Sequence, residues 1–191
     1  MAGRRKTLLI PVAAIAVIVI LLYASYYPYS YLAQNYTPFI IIKIVTAAPS
    51  SPSGFQAQYV VPLNVGVPNG IMATTRYLGD GVDGVYPVFT TNAPCGNITG
   101  TVVCKIHVIS KVARSYTLQD FFDVWGKPLG PDETLGPQYA SNSTSSGVQF
   151  SFTWNMCIHT NGADIPSNDW GSHVLRDQEI VLLVFSQTGC G

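Results

Sequence analysis

Thr117-Leu118-Gln119-Asp120-Phe121-Phe122-Asp123-Val124-Trp125-Gly126-Lys127-Pro128 is the stretch on which the fold turns. Leu118, Phe121, Phe122 and Trp125 fall at i, i+3, i+4 and i+7, the spacing that lines one face of a helix. Thr117 stands where an N-cap belongs, and Asp120, three residues on, takes the return position of a capping box. Gly126 and Pro128 stop the helix. So heavy an apolar stripe on so short a helix reads as core, buried against a sheet, rather than as a cofactor box.

Working outward, the residues on either side supply that sheet. Upstream, Val102 to Ser110 alternates as a strand. Before it, Gln56 to Val67 and Ile71 to Tyr77 flank Pro68-Asn69-Gly70, an Asn-Gly hairpin signal. The glycine-rich stretch Gly79-Asp80-Gly81-Val82-Asp83-Gly84 leads into Tyr86-Pro87-Val88-Phe89 and not into a helix. It therefore lacks the helix N-terminus that a phosphate cradle requires. Downstream, Gly130 to Ser146 is a polar loop, Val148 to Ile158 a strand, and Asn161-Gly162 a turn. Ile180 to Phe185 is an unbroken apolar strand of the kind found at a sheet centre. Hairpin, strand, one crossing helix, strand, turn and strand together predict an α+β domain, β-grasp-like (ubiquitin-like), over residues 55–191. Residues 32–54 read as an extended segment, Leu32 to Val45, followed by a Pro/Ser/Gly linker, Ala47 to Gly54.

The N-terminal region predicts a membrane anchor. Arg4, Arg5 and Lys6 form a basic tail over residues 1–6, and Leu8 to Tyr27 then run without a charge. About twenty apolar residues span a bilayer core, and positive charges ahead of them stay cytoplasmic. Tyr23, Tyr26, Tyr27, Tyr29 and Tyr31 would belt the outer interface, giving a transmembrane helix over residues 7–31. A cleavable signal peptide is the competing reading; Ser25-Tyr26-Tyr27 follows the apolar run in place of an Ala-x-Ala site, which favours retention. The expected localisation is the cell membrane, single-pass, with the C-terminal domain outside and the lipid bilayer as one partner.

Only 10% of the 191 residues are charged and the formal net charge is zero, against roughly 25% charged in ordinary soluble domains. That composition gives no basic footprint for nucleic acid. A surface so poorly supplied with charge suits one covered by partner subunits. Cys95, Cys104, Cys157 and Cys190 are an even set, which in an exported domain predicts two disulfides. Of the three connectivities we expect Cys95–Cys104, closing a short glycine-containing loop, and Cys157–Cys190, stapling the tail to a core strand; free buried thiols are the alternative. No pair has the close Cys-x-x-Cys spacing of a zinc site.

The segment from Ile106-His107-Val108 through Tyr116-Thr117-Leu118 and Phe121-Phe122 to Trp125-Gly126-Lys127-Pro128-Leu129 resembles a group of uncharacterised prokaryotic, often archaeal, membrane-anchored or exported proteins. Those carry an I-H-V-E-S-P-x-x-R-x-Y-T-L-G-x-F-F-x-x-W-G-x-P-L segment, followed later by V-N-G and L-x-D-H-x-x-I. His159-Thr160-Asn161-Gly162 and Leu175-Arg176-Asp177-Gln178-Glu179-Ile180 are similar to the later parts. The group also carries H-x-H and L-H-T-H-D, a histidine cluster that resembles a metal site. Gln56-Ala57-Gln58 and Phe89-Thr90-Thr91-Asn92 stand there instead, so the resemblance implies a shared shell without the ligands.

Little catalytic chemistry is legible. His107, His159 and His173 are scattered and lack cysteines or carboxylates at ligand spacing, so each is expected to be structural, and no metal or cofactor is expected. No serine sits in a Gly-x-Ser-x-Gly context, and Asp80 and Asp83 lack the EF-hand spacing. No catalytic residue and no small-molecule substrate are identified. Asn35-Tyr36-Thr37, Asn97-Ile98-Thr99 and Asn142-Ser143-Thr144 are acceptor tripeptides for glycosylation at Asn35, Asn97 and Asn142. The leading expectation is a non-enzymatic accessory or structural subunit of a membrane-bound cell-envelope complex, with other membrane-protein subunits as partners. The alternatives are an exported metal- or ligand-binding module, with a site built from the three histidines, and a surface-filament subunit that donates Leu32 to Val45 as a strand.

Overall fold

The computed structural model of the chain describes residues 16–22, 32–46, 55–140, 144–145, 148–149 and 152–190. Residues 33–191 make up one compact unit. Its helix α1, Leu118–Trp125, forms as the apolar stripe predicts. The Thr117 hydroxyl accepts the Asp120 amide while the Asp120 carboxylate accepts the Thr117 amide, and Gly126 closes the last turn at φ 74°.

The sheet around it is not a β-grasp. A seven-stranded mixed sheet runs β11 (Ala163–Ser167), β10 (Thr153–Thr160), β12 (Ile180–Ser186), β2 (Phe39–Thr46), β6 (Thr101–Lys105) and β5 (Cys95–Ile98), with β3 (Phe55–Gln58) also paired to β2. A second sheet orders β1 (Gln34–Tyr36), β7 (His107–Ser110) and β4 (Val88–Phe89). A two-stranded ribbon, β8 (Thr144–Ser145) and β9 (Val148–Gln149), stands apart.

Two physical causes overturn the β-grasp expectation. Ile40, Ile42 and Ile44 face the core, so the segment read as lying ahead of the domain enters the sheet centre as β2, parallel to β12 and in register Ile180 to Phe39. The expected Asn-Gly hairpin meanwhile dissolves after β3. Pro62 has no amide to donate, Asn64 and Gly66 take φ 55° and 78°, and only the single bridge Val65 to Ile71 remains. The expected strand Val102 to Ser110 breaks at Ile106, whose amide turns to the Pro38 carbonyl, and the chain passes from one sheet to the other.

The membrane anchor is likewise corrected. Within 7–31 the described residues are 16–22, which are helical. No helix among the described residues is long and apolar enough to cross a membrane, so neither the transmembrane helix nor the single-pass localisation is supported. The rest of that span, the basic tail 1–6, the linker 47–54 and Asn142 lie outside the described residues.

One face of the large sheet carries the core. Phe121, Phe122 and Trp125 of α1 pack with Ile40, Trp154, Met156, Leu183 and Phe185 beneath them and with Val88 and Val108 of the small sheet beside them. Two disulfides complete the frame. Cys95–Cys104 joins directly opposed residues of β5 and β6, and Cys157–Cys190 ties the C-terminal tail across the other face of the sheet.

Candidate functional site

Alternation along the large sheet leaves a second set of side chains on the face opposite α1. The registers place Asp164, His159, Ile180, Phe39 and Lys105 side by side across β11, β10, β12, β2 and β6. Such a row shares one face because neighbours in register point the same way. The row is apolar at its middle and polar at both ends. His159 Nδ1 lies 2.6 Å from the Asp164 carboxylate at one end, and Lys105 is exposed at the other.

Beside this row the sheet forms a groove of about 350 Å³ lined by Phe39, Ile41, Val103, Ile180, His159 and the β5–β6 hairpin residues Ile98, Thr99 and Thr101. Ile98 stands on its rim, 59% exposed. Thr99 turns the hairpin at φ 49° with Gly100 at φ 86°, and the Asn97 side chain accepts the Gly100 amide at 2.8 Å. Gln58 anchors the hairpin from β3: its Nε2 donates to the Gly100 carbonyl and its Oε1 accepts the Val102 amide. Gly96 pairs with Val103, and a Cβ added there would meet nothing within 4 Å. The groove is thus open above β5.

The histidines singled out in the sequence are not brought together. His107 stacks on Phe89, with ring centroids 5.4 Å apart, and burial, then the charge of Lys105, holds its pKa below the usual value. His173 is buried, with Nε2 2.9 Å from Glu179 and Nδ1 3.7 Å from Asp169, while its carbonyl accepts the Leu118 amide. It pins the loop before β12 to the start of α1. His159 alone reaches the groove. Among the described residues no three His, Cys, Asp or Glu side chains gather to hold a metal.

The polar cluster beside α1 is equally structural. Arg114 lies over the Tyr77 ring at 3.5 Å and the Tyr116 ring at 5.0 Å, 3.8 Å from Asp80 and 3.9 Å from Asp120. Ser110 Oγ contacts Tyr116 Oη at 2.7 Å, the Asp80 and Val112 carbonyls and the Val112 amide. A hydroxyl so engaged and fully buried has no freedom to act as a nucleophile. The glycine-rich loop therefore serves as a strap, held to β7 by the Ser110 hydroxyl, to the residue after it by the Lys111 amide, and to Arg114 by Asp80. Burial raises the pKa of Tyr36, Tyr86 and Tyr116 around it.

Of the glycosylation candidates, Asn97 and Asn35 are both exposed, the former next to the groove rim and the latter on edge strand β1. Apart from His159, sequence reasoning assigned no groove role to these residues; the signal that could have found the apolar ones was alternation in Phe39-Ile40-Ile41-Ile42, where both faces of one strand are apolar. No family model, no curated protein and no solved structure matches this chain.

Proposed function

We propose that this chain is a non-enzymatic accessory or structural subunit of a protein assembly outside the cytoplasm, and that a partner docks on the sheet face opposite α1. The observation that carries this reading is the apolar groove with Ile98 on its rim, in a chain with only 10% charged residues. Exposed apolar surface bounded by polar groups marks interaction sites. The charges at the ends of the row define the partner: a polypeptide that seats aliphatic or aromatic side chains over Phe39 and Ile180 and brings a carboxylate to Lys105. Two disulfides fit an extracellular protein. For the filament reading, the β2 part of Leu32 to Val45 is already paired with β12, β6 and β3, and the three-residue β1 is the edge strand left within that segment.

A photoreactive residue at position 98, introduced in the native host, tests this. One polypeptide should cross-link to it, should be lost when Gly96→Leu fills the groove, and should weaken when Lys105→Glu reverses the charge. A cross-link indifferent to both substitutions defeats the proposal. A second reading, an exported ligand-binding module, is favoured by the groove's volume, which falls within the roughly 300–1,000 Å³ of small-molecule sites. An apolar compound recovered with the native protein by mass spectrometry, in place of a cross-linked polypeptide, would select it.

A further inference from the structure

Among the described residues the large sheet ends at β11 on one side and at β5 on the other. An end strand carries a row of backbone groups turned away from its neighbour, and proteins commonly protect that row with proline or charge. β11 is protected on both counts. Thr160 and Ala163 pair across the turn Asn161-Gly162, so alternation turns the backbone of Asp164 and Pro166 outward. Pro166 has no amide to offer, and Asp164 brings a charge.

β5 has neither protection. Cys95, Gly96, Asn97 and Ile98 are uncharged and include no proline. Two bonds fix which of its backbone groups face out. The Lys105 amide donates to the Pro94 carbonyl, which makes Pro94 and Lys105 a hydrogen-bonded pair, and the Val102 amide donates away from β5, to Gln58 Oε1. Alternation then commits the backbone of Gly96 and Ile98 to β6. It turns the amide and carbonyl of both Cys95 and Asn97 away from β6, and among the described residues these groups meet no hydrogen-bond partner. Gly96 and Asn97 are exposed, and so is Ile98.

We propose that β5 pairs with β5 of a second copy of this chain, antiparallel, about a twofold axis at Gly96. The edge is complementary to itself. With Gly96 facing Gly96, the Cys95 amide and carbonyl meet the carbonyl and amide of Asn97 in the second copy, and the same exchange repeats across the axis, so every outward group of the strand is satisfied. The residue on the axis belongs to a close, non-hydrogen-bonded pair with Cα atoms about 4.5 Å apart, where glycine puts nothing in the way. Ile98 comes opposite Pro94 of the second copy on the same face, so an exposed side chain gains an apolar neighbour. The chain carries no net charge to oppose the approach. Such an axis stands perpendicular to the sheet, so both grooves open on the same side, and the contact is separate from the groove's own partner.

Native mass spectrometry of the full chain, made in a host that adds no glycan to Asn97, tests this. The wild type should pass from the mass of one chain to that of two as concentration rises to about 1 mM. Gly96→Asp and Gly96→Lys each set like charges against each other on the axis, at a position where an added Cβ meets nothing within 4 Å, so each alone should stay a single chain. Mixed, the two should form the heterodimer in excess over either homodimer. Asn97→Pro removes an outward amide, leaves the β6 ladder its bonds, and should also stay single. Lys105→Glu, which weakens docking on the groove, should dimerise as the wild type does, so this proposal and the groove partner fail separately. A wild type that remains a single chain defeats the proposal, as does a mixture that pairs at random or an Asn97→Pro protein that dimerises like the wild type.

Discussion

The guanidinium of Arg114 lies 3.5 Å above the centre of the Tyr77 ring, and from there it faces the carboxylates of both Asp80 and Asp120. One side chain thereby joins the glycine-rich strap to the N-terminus of α1. Its removal takes away a stacking contact and leaves Asp120, whose side chain is 8% exposed, without its nearby cation. Arg114→Met should lower unfolding free energy by about 2–3 kcal/mol in urea titrations. Arg114→Lys should recover part of that loss but not the flat stacking geometry.

Gly126 ends α1 in the left-handed region, and a Cβ placed there would lie 2.8 Å from the Cβ of Ala73. Gly126→Ala combines a backbone penalty with a close contact between two fixed atoms. A loss of about 1–2 kcal/mol is expected, read as a lowered midpoint of thermal unfolding by circular dichroism.

Stability should fall at both ends of the pH scale for different reasons. Burial raises Tyr36 and Tyr116 above their ordinary value of 10.0, so their contribution is complete below pH 10 and declines as pH rises toward the folded-state value. Alkaline unfolding should coincide with a cooperative rise in tyrosinate absorbance. His107 is shifted the other way, below 6.5, so its contribution is present above that pH and declines as pH falls from 6.5 through the folded-state value. His107→Phe, which keeps the ring against Phe89, should flatten the acid limb of the stability curve and leave the alkaline limb unchanged.

The Cys157–Cys190 bridge closes a loop of 33 residues and holds the tail beside Leu182 and Val184, both 2% exposed. Cys190→Ser should cost about 3.7 kcal/mol by the chain-entropy estimate. It should also increase hydrogen exchange in β12. Unfolding midpoints of the two proteins under non-reducing conditions measure the first effect, and the difference should vanish in reductant strong enough to open the bridge.

Local chemistry was legible in the sequence where one element decides its own shape. The cap, stripe and stop of α1 lie within ten residues, from Thr117 to Gly126, and the Asn161-Gly162 turn carries φ 53° and 79° as an Asn-Gly hairpin requires. Pairing was not legible. Nothing in Phe39-Ile40-Ile41-Ile42 says that it lies parallel to Ile180-Val181-Leu182-Leu183, because that partnership depends on which distant apolar strand the core accepts. The groove shared this fate: Phe39, Ile180, Val103 and Ile98 become neighbours only once the strand order is known. His159 stands out in the sequence for its chemistry, yet its setting comes from the Asp164 across the turn and the apolar row beside it.

The parallel partnership of β2 and β12 joins segments about 140 residues apart, and the Thr37 amide on the Asp177 carboxylate fastens the same junction. During synthesis, therefore, the central strand pair stays unassembled until Phe185 has left the ribosome, while α1 and the β5–β6 hairpin can already form. Ile40, Ile42 and Ile44 of the nascent chain wait for their β12 neighbours until about 140 further residues have been made. Closing so long a loop also makes folding slow by topology alone. The sheet is therefore completed only once β12 has been made, and the Cys157–Cys190 bridge can close only after it.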